Sequence, residues 1–98
     1  MNYVFFDNHD VEELGFLPAF LDDNDPRPAR EQFAANYIGG WYPMSGFLLD
    51  GDCLVYPGDP PLRPIGYTRL RDEVVVFYPY AFVMVKQSDG AFEAARMD

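Results

Sequence analysis

The apolar positions fall into short blocks separated by turn-forming residues. Tyr3-Val4-Phe5-Phe6 reads as an optional N-terminal strand, broken by Asp7-Asn8-His9-Asp10. Asp10, with Glu13 three residues on, has the form of a capping box. Leu14, Leu17, Phe20 and Leu21 then recur at helical spacing, in a helix that Gly15 and Pro18 keep short and kinked. Asp22-Asp23-Asn24-Asp25-Pro26 predicts a loop opening a second helix, with Asp25 as N-cap and Pro26 in the first helical position. Arg30, Phe33, Ala34, Tyr37 and Ile38 give it an i, i+3, i+4, i+7, i+8 stripe, and Gly39-Gly40 ends it.

Trp41 to Gly46 reads as an irregular connector. Phe47-Leu48-Leu49 and Cys53-Leu54-Val55-Tyr56 flank Asp50-Gly51, a hairpin pattern with a type I′ turn. Pro57 to Pro64 holds four prolines in eight residues and reads as a stiff surface loop. Thr68–Tyr78 is ambiguous. Leu70, Val74, Phe77 and Tyr78 sit at helical spacing, Val74-Val75-Val76 favours a strand, and the polar Leu70-Arg71-Asp72-Glu73 tips the reading towards a helix. Ala81–Gln87 and Ala91–Met97 form a second hairpin about Asp89-Gly90. A two-residue turn pairs Lys86 with Glu93 and a three-residue turn pairs it with Phe92; the opposite-charge pairing favours the first. The sum is one α+β domain over residues 1–98: a small antiparallel sheet of two hairpins plus the optional N-terminal strand, with two or three helices packed on one face.

Composition sharpens this picture. With 98 residues, 49% of them hydrophobic and 17% aromatic, the chain can fill a core despite a net charge of −9. Residues 1–62 hold eleven acids against two arginines, whereas residues 63–98 balance five against five. The negative charge therefore belongs to the first two thirds of the chain. So few Lys and Arg argue against direct nucleic-acid binding. No apolar window is long enough to span a membrane, and residues 1–20 lack the form of a signal peptide, so a cytoplasmic setting is expected. Cys53 is the one cysteine, which leaves no internal disulfide and reads as an inert buried thiol.

Catalytic chemistry finds little purchase. Asp7, His9 and Asp10 could ligate a metal, but a capped strand-to-helix turn explains them as well, and no metal or cofactor is expected. Ser45 and Ser88 have only His9 as an imidazole partner, and no triad spacing emerges. The residues that stand out for partner binding are Asp22, Asp23, Asp25, Trp41, Tyr42, Asp50, Asp52 and Asp59: exposed carboxylates and aromatic anchors, the latter beside the proline loop. Their plainer readings are helix-terminus acids and a core tryptophan.

Two stretches, Asp25-Pro26-Arg27-Pro28-Ala29-Arg30-Glu31-Gln32-Phe33 running on to Asn36-Tyr37 and Gly39-Gly40-Trp41, and Asp89-Gly90-Ala91-Phe92-Glu93-Ala94-Ala95-Arg96-Met97-Asp98, resemble small uncharacterised bacterial proteins of plasmid and phage gene pools. The resemblance implies a mobile-element setting and transfers no site residue. The expected function is an acidic, non-enzymatic protein-binding module, for example an inhibitor or mimic occupying the basic, nucleic-acid-binding surface of a host factor. The alternative is an assembly protein that forms a homo-oligomer through exposed aromatics; a small metal-assisted enzyme ranks third.

Overall fold

The computed structural model describes residues 12–14 and 17–97. The optional strand at Tyr3–Phe6 and the Asp7/His9/Asp10 turn lie outside them. In chain order the elements are β1 (Glu12–Glu13), α1 (Ala29–Asn36), β2 (Tyr42–Met44), β3 (Leu48–Asp50), β4 (Cys53–Val55), β5 (Gly66–Leu70), β6 (Glu73–Phe77), a 3-10 turn (Pro79–Ala81), β7 (Phe82–Lys86) and β8 (Phe92–Arg96). A six-stranded sheet runs β1-β5-β6-β7-β8-β2, antiparallel except for the two-residue β1, which lies parallel to β5; β3 and β4 form a separate hairpin.

The centre of the sheet explains the architecture. Val74, Val75 and Val76 on β6 and Val83, Met84 and Val85 on β7 are all buried, so both faces of these strands are covered. Val75, Val83 and Val85 pack with Leu21, Ala29 and Phe33 beneath α1. Val74, Val76 and Met84 pack on the opposite face with Leu54 and Tyr78 beneath the β3–β4 hairpin. Each such side chain contributes about 1.5–3 kcal/mol of transfer free energy.

This two-sided burial overturns the helical reading of Thr68–Tyr78. The segment is the β5–β6 hairpin, Leu70 opposite Glu73, and the polar Arg71-Asp72 that weighed against a strand is its turn. The expected two or three helices reduce, among the described residues, to α1 and one 3-10 turn. The short helix expected from Asp10 is instead β1 followed by a turn at Pro18, whose carbonyl accepts from the Leu21 N–H at 2.9 Å.

α1 starts later than predicted, after Pro28 rather than Asp25. Asp25 and Arg27 each precede a proline, which pushes both out of the helical region. Without a side-chain cap from its own segment, the helix takes one from the sheet: Glu73 Oε1 accepts from the Ala29 N–H at 2.9 Å, and Glu73 Oε2 accepts from Gln87 Nε2 at 2.8 Å. The helix also stops at Asn36, before Gly39-Gly40, and leaves Ile38 fully exposed. Buried Gln32 ties down the preceding loop: its Oε1 accepts from the Asp22 N–H at 2.7 Å and its Nε2 donates to the Arg27 carbonyl at 2.9 Å.

Two turns also differ by one position. Asp50 pairs with Cys53, so the hairpin loop is Gly51-Asp52, with Gly51 at φ 62 in its first position. Lys86 pairs with Phe92, not Glu93, because Gly90 at φ 94 closes a three-residue loop. The 41–46 connector contains the edge strand β2, paired along β8.

Removing the sheet-borne cap should be costly. Glu73→Ala strands one buried and one part-buried donor and should lower stability by about 2–3 kcal/mol in urea denaturation. Glu73→Gln, which keeps one acceptor oxygen, should lose less, and the exposed Glu31→Ala should stay within about 0.5 kcal/mol of the parent.

Candidate functional site

The acidic residues singled out above do not gather on one surface. Asp22, Asp23 and Asp25 lie in the loop before α1, on the helix-covered side of the sheet. Asp50, Asp52 and Asp59 lie on the β3–β4 hairpin and the loop after it, on the opposite side. Asp22, Asp23, Asp50 and Asp59 are exposed, Asp25 is half-buried, and Asp52 is buried in its turn.

The first group is bound up with structure. Asp25 accepts from the Arg27 backbone N–H at 3.0 Å and grips the Arg27 guanidinium with both oxygens, the closest contact being 2.7 Å. The Arg27 side chain chiefly, with its backbone N–H, holds the Asp25 carboxyl down at about 2. Asp25 in turn raises the Arg27 guanidinium above its ordinary range. Arg71, in the β5–β6 turn, donates to the Asp23 carbonyl at 3.0 Å and to the Arg27 carbonyl at 2.7 Å. These bonds hold Arg71 at φ 56, a left-handed conformation that is costly for a side-chain-bearing residue.

Trp41 is also engaged inside the fold. Its ring packs 5.1 Å from Phe33, and its indole N–H donates to Glu93 Oε1 at 3.0 Å, while Glu93 Oε2 pairs with Arg30 at 3.1 Å. Tyr42, next along the chain, stands 54% exposed on the edge strand.

The feature with the character of a recognition surface is a groove of about 520 Å³ beside the β3–β4 hairpin. Phe47, Leu54 and Tyr56 come from the hairpin and its flanks. Asp59, Pro60, Pro61, Leu62 and Arg63 come from the proline loop, Pro79 and Tyr80 from the β6–β7 connection, and Phe82 from the start of β7. It runs into a second hollow of about 420 Å³, where Pro43, Met44 and Ser45 join Phe47, Tyr56, Asp59 and Phe82. The rings brace one another: Phe47 lies 5.2 Å from Tyr56 and 5.4 Å from Phe82, and the Arg96 guanidinium sits over Phe82 at 5.3 Å. The proline loop is sewn to β4 by paired backbone bonds between Leu54 and Leu62, both 2.9 Å. Tyr78 pins the hairpin tip through its hydroxyl, which donates to the Asp52 carbonyl at 2.7 Å.

The rim carries conformational strain. Tyr80 and Ala81 adopt φ of 65 and 64, in a turn closed by the Phe82 N–H to the Pro79 carbonyl. Turns of this hand favour Asn-Gly. Such strain concentrates where a fold positions a functional side chain, and Tyr80 is 76% exposed here.

Of the residues anticipated from sequence, Tyr42, Asp50 and Asp59 stay on the exposed hairpin side, and Asp59 lines the groove. Phe47, Tyr80 and Phe82 were not anticipated; the only local signal was Pro79-Tyr80 between two β-forming runs. Among the described residues no three His, Cys, Asp or Glu side chains converge as metal ligands, and no helix is long and apolar enough to cross a membrane. Comparison with protein-family models, curated proteins and solved structures returned no match.

Two measurements probe this geometry. The Asp25 carboxyl should titrate near 2 by NMR, and Arg27→Ala should return it towards the ordinary value of about 4. Because its folded value is depressed, the stabilisation Asp25 provides is present above its unfolded value and fades as pH falls from about 4 to about 2. Replacing Tyr80-Ala81 with Asn-Gly should raise the unfolding free energy by about 1–2 kcal/mol by relieving the left-handed strain.

Proposed function

We infer that this chain is a protein-binding module that engages its partner through the aromatic and proline groove on the hairpin side of the sheet. The supporting observation is the groove itself: several rings and prolines from three chain segments, left open to solvent in a domain whose other sheet face is closed by α1. Rigid aromatic anchors supply most of the free energy at protein interfaces. Prolines lower the entropy lost when a surface is immobilised.

The partner surface is basic. The net charge of −9 steers cationic surfaces towards the chain. Asp59 in the groove and exposed Asp50 on the same hairpin side give that attraction a local form. The same chemistry would let the module inhibit a host factor by occupying its nucleic-acid-binding surface, within the bacterial mobile-element setting that the sequence resemblance implies and the cytoplasmic setting expected from its composition. Carboxylates divided between two sides favour a groove-centred contact over mimicry of a continuous phosphate row.

A second reading, self-association, draws on exposed Tyr42 and Met44 along the outer strand β2. Pro43 lies between them and removes a backbone donor, which blunts that edge for strand pairing.

Photo-cross-linking in a bacterial lysate tests the reading. A probe at Tyr56 should trap a protein, with the yield falling several-fold in high salt and in a Tyr80→Ala background, whereas a probe at exposed Ala35 on α1 should trap none of it. Equal capture from both positions would overturn the assignment, and capture of the chain by itself would move it to self-association.

A further inference from the structure

Resting on the protein-binding reading, we propose that the groove's ligand is an extended, proline-containing peptide segment bearing an arginine or lysine. Three observations narrow the ligand to this class. First, the walls are poor in backbone donors. Pro60, Pro61 and Pro79 line the groove and Pro43 lines its extension, and none of them has an N–H. Strand addition needs alternating donors and acceptors along an edge, so the groove does not suit it. A polyproline-type segment needs no ladder. It asks for flat rings to lie against and a few hydroxyls to donate to its carbonyls, and Tyr56 and Tyr80 offer both.

Second, the charges are complementary and directional. Of the three carboxylates in residues 47–62, Asp59 is the one that lines the groove, and Asp52 is buried in its turn. Asp59 lines both halves of the groove, whereas Arg63 lines only the half bounded by Pro60, Pro61 and Tyr80. The ligand's basic side chain therefore belongs in the half bounded by Met44, Tyr56 and Asp59, where a carboxylate and a ring face can both receive it. Its prolines belong against Tyr80 and Phe82.

Third, the walls are preformed. The Leu54–Leu62 backbone pair fixes the proline loop, and the Phe82 N–H to Pro79 carbonyl bond closes the turn whose backbone carries Tyr80. A stiff ligand meeting a stiff wall loses little entropy on binding.

The test is an NMR titration of the isotope-labelled chain with synthetic peptides. The reference peptide holds two prolines separated by two residues, with an arginine beyond the second. Its controls replace the prolines with alanine, replace the arginine with glutamate, or form an amphipathic helix of the same net charge. The reference should bind with a dissociation constant of roughly 10–300 μM, a weak single-motif affinity. It should shift amides around Tyr56, Asp59 and Tyr80. Removing the prolines should weaken binding about tenfold or more. Asp59→Asn should weaken it about two- to fivefold, as expected of an exposed ion pair. Tyr80→Ala should cost about tenfold, and Asp23→Asn, on the other side, should change nothing. Equal binding of the alanine peptide or the helix, or shifts mapping away from the groove, would overturn the peptide assignment. If every peptide fails while the Tyr56 probe still traps a protein, the ligand class is wrong and the protein-binding reading stands. If the probe also traps nothing, both fall.

Discussion

A β6–β7 hairpin buried on both faces dictates most of this molecule. Val74 and Val76 point one way and Val75 the other, and Val83, Met84 and Val85 answer them on the neighbouring strand. A sheet whose centre is apolar on both sides needs a cover on each. The chain supplies one from before the central strands in sequence, α1, and one from immediately before β5, the β3–β4 hairpin. Both covers then need polar anchorage, because bringing them down buries backbone donors and acceptors. Glu73 and Gln32 supply it on the helix side, and the Tyr78 hydroxyl does so on the hairpin side.

The two covers are unequal, and the groove follows from that inequality. β3 and β4 have three residues each, whereas β5 to β8 have five. At about 3.4 Å per residue, the hairpin spans roughly 10 Å against about 17 Å for the strands beneath it. The remaining length is bridged by a loop rich in proline, which joins β4 at the Leu54–Leu62 pair but cannot extend that pairing into a ladder, and so forms a wall. The space between hairpin, loop and the Pro79–Ala81 turn stays open. An apolar hollow there costs stability, and so does holding Tyr80 and Ala81 at left-handed angles. Two such costs at one place fit a surface kept for binding more naturally than one kept for folding.

Much of the α+β character was legible in the sequence. The Phe33 helix, the Asp50-Gly51 hairpin region, the terminal hairpin and the stiff proline loop all follow from local pattern. The misreading of residues 68–78 came from weighing local polarity over burial: Arg71-Asp72 is poor strand material because it is the turn, and Val74 to Val76 reveal a central strand only once both faces have partners. Helix α1 misled in the opposite direction. The neighbouring aspartates read as its cap, whereas the capping acid is Glu73, 44 residues away. The groove was half legible. Asp59 and the proline loop carry a signal, but Tyr80 comes from a connection whose geometry no Asn or Gly announces, and Phe82 from the strand start that follows it.

In the proposed binding function, the lopsided charge and the groove would act on different parts of recognition. Nine excess negative charges raise the encounter rate with cationic surfaces, and that influence fades beyond about 8 Å in physiological salt. It cannot choose among basic partners. The loop before α1 shows why composition alone is a poor guide to contact: the Asp25 carboxylate is committed to Arg27, and Asp22 and Asp23 are held by their backbone to Gln32 and Arg71. Discrimination has to come from groups held rigidly at short range, and on the hairpin side these are rings, prolines and the single carboxylate of Asp59. On the protein-binding reading proposed above, charge would bring a partner near, and the shape of an incompletely covered sheet would decide which one stays.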